Sequence, residues 1–396
     1  MNEKDKLTKI DELLTRGVED VFIKEHLKEQ LLSGKKLRVK LGFDPTGPKI
    51  HIGRAIVLRK LKAFQDLGHQ IVFIIGDYTA TIGDASDKTE KRPMLSREEV
   101  NENFKDYKNQ IGKIIDMNNV EIVYNSDWLG KLSFFDLAEL AECFSVQQMQ
   151  ARRNFKERLE RGDEISLREF LYPLLQGYDS FAVRADVEIG GFDQLFNLKA
   201  GRIVQKHFGM PEQDIMNFQM LEGTDGRKMS TSWGNIITIV DEPNDMYGKI
   251  MTVRDDLIIK YFTLCTDVSL EEIKNIEKEI AGGANPRDAK MRLAREIVNL
   301  YHPAGSTEKA EADFIAKFQK KEIPDDVLSI EVKNGAPLKD VLIENGLVKS
   351  GAEFRRLVEA GAIKEGEDVL KDPDVKIDHD AALRVGKHRF VRINIK

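Results

Sequence analysis

The sequence predicts an α/β fold in which helices cover a parallel sheet, followed by a helical domain and a small α+β module. Two observations carry this prediction. Residues 37–44 and 70–76 read as strands separated by a helix, which is the βαβ unit of a parallel sheet. Helical periodicity then dominates residues 244–322, and short helical and strand-like stretches alternate from residue 337 onward.

The length and composition of the chain favour a soluble protein of several domains. Its 396 residues exceed what one hydrophobic core usually supports, and 41% hydrophobic with 32% charged residues is a globular balance. No apolar run reaches the roughly 18 residues of a membrane span, and the charged N-terminus lacks a signal-peptide pattern. Cys143 and Cys265 lie far apart without metal or redox spacing, so we expect a cytoplasmic protein without a metal site.

Changes of pattern along the chain indicate the domain boundaries. Residues 5–32 carry apolar positions at helical spacing and predict a single amphipathic helix. The region at about 115–180 lies between two sheet-forming halves and is interpreted as an insertion. We expect an α/β domain over 1–235, a helical domain over 236–322, a linker over 323–336 and the α+β module over 337–396.

The first of three loops that favour nucleotide binding follows the predicted strand at 37–44. It carries Gly42, Asp44 and Thr46 and continues into HIGR (51–54) at the start of a predicted helix. A helix N-terminus attracts phosphate through its N–H groups and its dipole. The glycine of HIGR permits close approach of a nucleoside, and the histidine can donate to phosphate oxygens. Taken alone, this loop favours an ordinary structural turn over a nucleotide site.

Two further loops add groups that suit a nucleoside triphosphate. In GRKMSTSWGN, Lys228 stands among small hydroxyl residues on a glycine-flanked loop, which suits a mobile clamp on a leaving pyrophosphate. In EIGGFDQ, Gly191 and Asp193 follow a strand and open a helix, where a carboxylate can bind ribose hydroxyls. A solvated turn and an N-cap aspartate are the ordinary alternatives for these loops. The three loops together are far more specific than any one of them.

Six ordered segments closely resemble the class I aminoacyl-tRNA synthetases with HIGH and KMSKS signatures, and within that class the bacterial tyrosyl enzymes. They are GFDPTGPKIHIGR, FIIGDYTATIGDASDK, LYPLLQGYDS, EIGGFDQ, GRKMSTSWGN and the C-terminal module. The resemblance implies a Rossmann-like catalytic domain with a helical insertion, an anticodon-proximal helical domain, and an S4-like RNA-binding domain at the C-terminal end.

The resemblance also implies the reaction. L-Tyrosine is activated by ATP with Mg²⁺ to tyrosyl-adenylate, and the tyrosyl group then passes to the 3′ end of tRNA(Tyr). His51 would stabilise the α-phosphate as the carboxylate attacks, and Lys228 would hold pyrophosphate. Because a carboxylate is already a nucleophile, positioning and charge stabilisation are sufficient. The implied catalytic residues are His51, Arg54, Lys228, Thr231 and Thr46, and the nucleotide-binding residues are Gly42, Asp44, Gly53, Gly191, Asp193 and Lys228.

For the amino acid, the resemblance points to a polar set in LYPLLQGYDS. Tyr172, Gln176 and Asp179 stand at i, i+4 and i+7, which puts them on one helix face. In the family, Tyr172 and Gln176 hold the substrate ammonium with Asp84, and Asp179 receives the phenol hydroxyl. Gln194 of GGFDQ completes the implied substrate-binding set.

Four positions depart from the family pattern. Arg54 replaces the second histidine of HIGH and Thr231 the second lysine of KMSKS, so we expect a slowed adenylation step that Thr231→Lys accelerates. Lys40 stands at the substrate pocket where many relatives carry a tyrosine that shares the phenol hydroxyl, which leaves Asp179 as its main reader. Phe192 replaces a small hydroxyl residue.

The C-terminal module carries the basic residues expected to contact RNA. They lie on a predicted helix pair and on the last strand: Lys349, Arg355, Arg356, Lys387 and Arg389. A solvated charged helix is the alternative, because Glu353 and Glu359 interrupt the cluster. The family further implies a homodimer formed through residues at about 120–165.

Two other functions compete with the tyrosine enzyme. A tryptophanyl-type synthetase shares the fold and both signatures, but Asp179 and the Tyr172–Gln176 spacing form a polar set that suits a phenol better. A non-catalytic RNA-binding paralogue would explain the altered signatures, but the retained His51 and Lys228 disfavour it. ATP–pyrophosphate exchange with each amino acid separates the three.

Overall fold

The computed structural model describes residues 2–44, 48–84, 96–230, 233–316, 327–365, 368–386 and 389–396. The chain divides into two compact units, Met1–Pro303 and Ala304–Lys396. In the described residues, no helix has the length and apolar character needed to cross a membrane.

Among the described residues of the first unit, a six-stranded sheet forms the centre. Across the sheet the strand order is β1-β6-β5-β2-β3-β4, and all neighbours are parallel except β1 and β6. This confirms the predicted α/β class with a parallel sheet. The strands are β1 (Val18–Phe22), β2 (Arg38–Phe43), β3 (Gln70–Ile75), β4 (Val120–Tyr124), β5 (Val187–Gly191) and β6 (Asp214–Phe218).

The central strands are buried on both faces, as parallel strands covered by helices usually are. Residues Ile71–Ile75 of β3 are all buried, and so are all five residues of β6. From β2 the chain proceeds to β3 and β4 on one side, whereas β5 and β6 lie on the other side. The order therefore reverses between β2 and β5, and a crevice opens outside their carboxyl ends.

Helices cover this sheet and continue beyond it. They are α1 (Glu3–Leu13), α2 (Lys24–Leu32), α3 (Ile52–Asp66), α4 (Thr79–Ile82), α5 (Arg97–Phe104), α6 (Tyr107–Gly112), α7 (Ser126–Leu129), α8 (Phe134–Glu142), α9 (Val146–Gln150), α10 (Arg153–Arg161), α11 (Leu167–Ala182), α12 (Leu195–His207), α13 (Pro243–Met251), α14 (Ile258–Cys265), α15 (Leu270–Ala281) and α16 (Pro286–Tyr301).

Helix α11, which carries the predicted tyrosine-binding set, begins at a capping box. The Ser166 side chain accepts from the backbone N–H of Arg168, and Glu169 accepts from the backbone of Ser166. The helix packs closely on α12 at Gly177, where a Cβ atom would lie 2.9 Å from Val204 Cγ2 and 3.0 Å from the carbonyl oxygen of Ala200. Glycine at this position lets the two helices approach each other and fixes α11 against the sheet.

Two features of the first unit differ from the sequence-based expectation. Residues 5–32 form two helices with strand β1 between them, not one helix, because Val18–Phe22 pairs with β6 at the sheet edge. The turn before this strand uses Gly17 at a φ of 63°. In addition, β4 lies inside the stretch 115–180 interpreted as an insertion and pairs with β3, so the chain leaves the sheet only after Tyr124.

The second unit contains a mixed sheet with the order β7-β11-β10-β8-β9. Strand β7 lies within the stretch 323–336 interpreted as a linker and pairs in parallel with β11. Buried side chains including Leu342, Phe354 and Val391 form its core. The elements are α17 (Ser306–Phe314), β7 (Leu328–Val332), α18 (Leu338–Glu344), α19 (Gly351–Glu359), β8 (Ile363–Glu365), β9 (Asp368–Val369), β10 (Ala381–Val385) and β11 (Arg389–Ile395).

Candidate active site

A cleft of about 350 Å³ opens at the carboxyl ends of β2 and β5. This is the point where the strand order reverses, and open α/β sheets bind ligands in that crevice. Its walls bring together residues that are far apart in the sequence. Most of the predicted site residues line it: Gly42, Asp44, His51, Gly53, Arg54, Asp84, Tyr172, Gln176, Asp179, Gly191, Asp193, Gln194 and Lys228.

His51 caps the N-terminus of α3, which directly follows the loop after β2. Its Nδ1 accepts from the backbone N–H of Arg54 at 3.3 Å, so in the neutral ring the proton resides on Nε2. Burial lowers the pKa of His51 to about 3, and the positive charges of Arg54 and Lys228 contribute to this lowering. The side chain is therefore a neutral imidazole with one N–H donor.

Gly53 and Arg54 complete the wall beside this histidine. A Cβ atom on residue 53 would lie 3.1 Å from His51 Nδ1, so the glycine leaves the imidazole room. The Arg54 guanidinium lies 5.0 Å from the Phe43 ring centroid and its Nη1 is 3.4 Å from the Tyr107 hydroxyl. Arg54 thus brings a permanent positive charge to the cleft, held by an aromatic face.

Lys228 and Asp193 face each other across the mouth of the cleft. Lys228 Nζ lies 3.4 Å from Asp193 Oδ2, and both side chains are partly exposed. Asp193 stands in a short 3₁₀ turn directly after β5. A Cβ atom on Gly191 would lie 2.7 Å from the Asp193 carboxylate, so this glycine lets the carboxylate fold back over the strand end.

The loop that carries Lys228 is held from inside by Asn235. The Asn235 amide oxygen accepts from the backbone N–H of Ser230 at 2.8 Å. Its amide nitrogen donates to the Lys228 carbonyl at 3.1 Å and to Asp225 at 2.8 Å. Sequence reasoning did not single out Asn235, although it directly follows Gly234 in the quoted segment. Its amide closes the loop on both sides of Met229.

Tyr172 and Asp44 form one hydrogen-bonded unit in the cleft wall. The Tyr172 hydroxyl donates to Asp44 Oδ2 at 2.9 Å, and the Thr79 hydroxyl donates to Oδ1 at 2.8 Å. Burial, with the nearby carboxylates, raises the pKa of Tyr172 well above its usual range, so the phenol stays protonated. Asp44, predicted to bind the nucleotide, and Tyr172, predicted to bind the amino acid, are therefore hydrogen-bonded to each other.

Asp179 lies at the inner end of the cleft and is 3% exposed. It accepts from Trp128 Nε1 at 2.8 Å and from Asn125 Nδ2 at 3.2 Å. Burial raises its pKa to about 7, against the lowering effects of Lys40 and of both hydrogen bonds. Trp128 and Asn125 follow β4 in sequence. No motif marked them; only the sheet order places them beside α11.

Asp84 is bracketed by two donors. Arg152 Nη2 lies 3.0 Å from Asp84 Oδ1, and Gln194 Nε2 donates to Oδ2 at 2.7 Å. Arg152 is 5% exposed and lies between α9 and α10, a region where sequence reasoning marked no site residue. The ion pair and the Gln194 amide hold the Asp84 side chain in place at the cleft wall.

Lys40 does not line the cleft. Its ammonium is fully buried behind the wall, where it contacts Glu188 Oε1 at 2.9 Å. The side chain points from β2 toward α11 and β5, so its geometry does not support the expected direct contact with a substrate. Thr46 and Thr231, predicted for the phosphate site, lie outside the described residues.

In the second unit, Lys349, Arg355 and Arg356 are exposed on or beside α19. Arg389 is half-buried and lies 3.2 Å from Glu353 Oε1, so an acidic residue already neutralises part of its charge. Lys387 lies outside the described residues.

Comparison with known proteins identifies the family to which the chain belongs. The family model for class I tRNA synthetases (W and Y) matches residues 32–319. A tyrosine–tRNA ligase of Thermotoga maritima is 45% identical over 386 residues, covering 96% of each chain. One of Carboxydothermus hydrogenoformans is 44% identical over 404 residues, covering 98% of each. The chain therefore belongs to the tyrosine–tRNA ligase family of class I synthetases.

Solved structures share the fold at greater sequence distance. A C-terminally truncated mitochondrial tyrosyl-tRNA synthetase of Aspergillus nidulans matches with a TM-score of 0.63 at 22% identity. The match covers 78% of this chain and 94% of that one. At this identity the likeness supports the Rossmann-like fold.

Proposed function

We propose that the chain activates L-tyrosine with ATP to tyrosyl-adenylate and pyrophosphate, and then transfers the tyrosyl group to the 3′ end of tRNA(Tyr). The observation that carries this proposal is the cleft at the β2–β5 reversal. His51, Asp193 and Lys228 stand at its outer part, and the buried Asp179 stands at its inner end. A nucleotide and a phenol can occupy these two ends at once.

In the outer part, each group suits one portion of ATP. The α3 N-terminus and the neutral His51 N–H point donors at a phosphate, whose charge grows as the tyrosine carboxylate attacks. Lys228 suits the leaving pyrophosphate, and Asp193 suits the ribose hydroxyls. Lys228 and Asp193 are 3.4 Å apart, so binding of ATP would replace their mutual contact by contacts to the nucleotide. The tyrosine carboxylate is the nucleophile, and the step needs no protein base.

Magnesium would enter with the nucleotide. The described residues contain no group of three or more histidine, cysteine, aspartate or glutamate side chains that could hold a metal ion. A divalent ion bound to ATP screens the charge of its phosphates. Asp193 would then still contact the ribose hydroxyls, and Lys228 would still contact the pyrophosphate.

In the inner part, the polar groups suit tyrosine. Asp179 can accept the phenol hydroxyl while it holds its two donors, because a carboxylate has about four acceptor positions. Tyr172, Gln176 and Asp84 line the cleft and suit the substrate ammonium. A buried carboxylate that needs a hydroxyl partner rejects phenylalanine by about 10⁴–10⁵, the magnitude established for tyrosyl-tRNA synthetase itself.

ATP–pyrophosphate exchange with each standard amino acid tests the proposal. We expect exchange with tyrosine and none with phenylalanine. Exchange with tryptophan instead would favour the tryptophanyl alternative. A folded chain that exchanges with no amino acid would favour an RNA-binding paralogue and overturn the proposal. Asp179→Ala is the matched variant. It should lose exchange with tyrosine, while its thermal unfolding curve should still show a single cooperative transition.

We further propose that the second unit binds tRNA and that two chains form a dimer. The exposed Lys349, Arg355 and Arg356 support phosphate contact. Large apolar side chains are exposed within the expected dimer region, including Phe134 at 87%, Phe135 at 78% and Val146 at 58%. Large apolar side chains exposed to this degree in one region favour an interface. Since tRNA is the proposed substrate and both cysteines are unpaired, we place the enzyme in the cytoplasm.

A further inference from the structure

A buried ion pair adjoins the inner end of the cleft, with Glu188 in the cleft wall and Lys40 behind it. Lys40 on β2 and Glu188 on β5 are 0% and 1% exposed, and Nζ lies 2.9 Å from Oε1. Burying two charges costs several kcal/mol of desolvation per ion, so such a pair contributes little net stability compared with apolar residues. Its effect must therefore be sought in what it orients.

Every N–H of the Lys40 ammonium is used inside the protein. Besides Glu188, the ammonium donates to the backbone carbonyl oxygen of Gln176 at 3.0 Å and to the Ser180 hydroxyl at 2.7 Å. An ammonium has three donors, so none remains for a ligand. Lys40 therefore acts on the cleft through its neighbours, two of which are on α11.

The Glu188 carboxylate is equally saturated. One oxygen accepts from Lys40 and from Gln176 Nε2, the latter at 3.1 Å. The other accepts from the Ser180 hydroxyl at 3.0 Å and from Gln213 Nε2. An ionised carboxylate can only accept. The Gln176 amide must therefore turn its NH₂ group to Glu188, which leaves its carbonyl oxygen as the amide atom available to the cleft.

This orientation has a consequence for the ligand. The side-chain carbonyl oxygen of Gln176 can accept a hydrogen bond from the substrate ammonium. The NH₂ group could not, because both it and the ammonium are donors. The orientation depends on the Glu188 carboxylate that accepts from the Gln176 amide, and the Lys40 ammonium 2.9 Å away holds that carboxylate in its buried position. The same charge lowers the pKa of Asp179, whereas Glu188 raises it.

We propose that Lys40 is a positioning residue for tyrosine recognition. By pairing with the Glu188 carboxylate, it fixes the Gln176 side-chain amide with its oxygen toward the substrate ammonium, although Lys40 never touches the substrate. This inference rests on the proposed function, and it concerns a residue for which the sequence suggested a direct substrate contact.

The test compares Lys40→Met with the double variant Lys40→Met/Glu188→Gln in tyrosine-dependent exchange. Lys40→Met should raise the KM for tyrosine by about tenfold or more, as expected for a lost charge-assisted contact, and leave the KM for ATP within about twofold. The double variant removes both buried charges, so it should recover thermal stability. It should not recover the KM for tyrosine, because the neutral amide introduced by Glu188→Gln no longer dictates the orientation of the Gln176 amide.

A substrate analogue sharpens this test. Tyrosine and its deaminated analogue, 3-(4-hydroxyphenyl)propanoate, share the phenol and the carboxylate but differ in the ammonium. The KM for tyrosine and the inhibition constant of the deaminated analogue in tyrosine-dependent exchange should differ by a large ratio in the wild-type enzyme. In both variants this ratio should shrink by about tenfold, with the affinity of the deaminated analogue nearly unchanged.

The matched control is a second buried ion pair that does not line the cleft. Arg158 and Glu169 are each about 1% exposed, with Nη1 2.7 Å from Oε1, and Glu169 lies on α11 as Gln176 does. Arg158→Met should lower the melting temperature and leave the KM for tyrosine within about twofold.

Each possible result either supports or overturns the positioning role of Lys40. An unchanged KM for tyrosine in Lys40→Met, or its recovery in the double variant together with stability, would overturn the inference. An equal rise in Arg158→Met would do the same, because any loss of a buried pair on α11 would then suffice. If Lys40→Met does not fold, the double variant and the analogue ratio carry the test. Failure of the wild-type enzyme to exchange with tyrosine would instead overturn the proposed function.

Discussion

Two titratable side chains at the two ends of the cleft, the half-buried His51 and the buried Asp179, have pKa values displaced in opposite directions. The pKa of His51 is lowered to about 3 and that of Asp179 is raised to about 7. The main cause is the same, because burial disfavours whichever form is charged. His51 is therefore a neutral donor throughout the working pH range, whereas Asp179 changes charge near neutrality.

Asp179 should make tyrosine binding depend on pH. The carboxylate accepts the phenol hydroxyl better than the neutral acid does, so the KM for tyrosine should fall as the pH rises from about 6 to 8. The charged or titratable groups that face Asp179 are Lys40 from β2, Glu188 from β5, and Tyr172 on its own helix. Exchange assays at saturating ATP measure this profile.

The same group should affect stability with a defined sign. Its folded pKa of about 7 exceeds its ordinary value of 3.8, so between these values the folded protein retains a proton that the unfolded chain releases. This stabilising contribution is complete below 3.8 and is lost as the pH rises through about 7. Asp179→Asn removes the titration. The free energies of unfolding of the wild type and of Asp179→Asn, measured in urea, should therefore change differently with pH between about 3.8 and 7. If the two change in parallel and the KM for tyrosine does not depend on pH, the pKa of Asp179 is not raised.

At the scale of elements, the cleft is assembled by loops that leave neighbouring parallel strands. His51 follows β2 and Asp193 follows β5, and the pairing of these two strands sets the separation of the two side chains. The loop with Lys228 follows β6, the next strand along. Its conformation is held by hydrogen bonds of the Asn235 amide and by backbone pairing with residues that follow β6, such as that of the Met229 N–H with the Leu221 carbonyl oxygen.

Asn235→Ala should slow adenylation without weakening tyrosine binding. The substitution removes three hydrogen bonds around a residue that is 5% exposed and leaves the backbone N–H of Ser230 without its acceptor. We expect kcat for exchange to fall by at least about tenfold and stability by about 1–3 kcal/mol, with the KM for tyrosine unchanged. Exchange kinetics and urea unfolding give the two numbers.

The matched variant is Asn345→Ala, which removes an amide that donates to the Val341 carbonyl oxygen at 2.9 Å in the second unit. It should leave exchange unaltered. An Asn235→Ala enzyme with wild-type kcat would mean that the loop keeps its active conformation without this amide.

At the scale of the whole molecule, the proposed dimer can be tested through its apolar surface. Phe134→Asp with Phe135→Asp introduces two charges on α8 at side chains that are 87% and 78% exposed. Charges that would be buried in an interface are strongly unfavourable, so sedimentation should show a shift from a dimer toward the 45.1 kDa chain. Leu32→Asp, at an exposed leucine of α2, is the control and should remain dimeric. A dimer that survives the double change would place the interface elsewhere.

The two units should separate the two steps of the reaction. Arg355→Ala with Arg356→Ala should weaken tRNA charging through the KM for tRNA and leave pyrophosphate exchange unchanged, because exchange needs only the cleft of the first unit. If both arginines contact phosphates, the slope of log K against log salt should decrease by about one unit for each. Charging with wild-type KM and salt slope would favour the solvated helix that Glu353 and Glu359 suggested.

Much of the molecule follows from local patterns in the chain. Alternation and helical spacing identify β2, α3 and β3, and the confirmed α/β class with its parallel sheet follows from their order. The three loops with His51, Asp193 and Lys228 were recognisable because glycine, charge and a strand–helix junction coincide in a few residues. The i, i+4, i+7 spacing likewise placed Tyr172, Gln176 and Asp179 on one helix face.

Pairings between distant segments escaped this reasoning. Strand β1 exists because Val18–Phe22 meets β6, although its own spacing resembles a helix. Trp128 and Asn125 reach Asp179 only because β4 joins the sheet, and Lys40 turns away from the cleft because Glu188 of the neighbouring strand is there to receive it. Short-range spacing reports on neighbours along the chain. Hydrogen bonds, burial and pKa values depend on atoms that are far apart in the sequence, and only the folded arrangement brings those together.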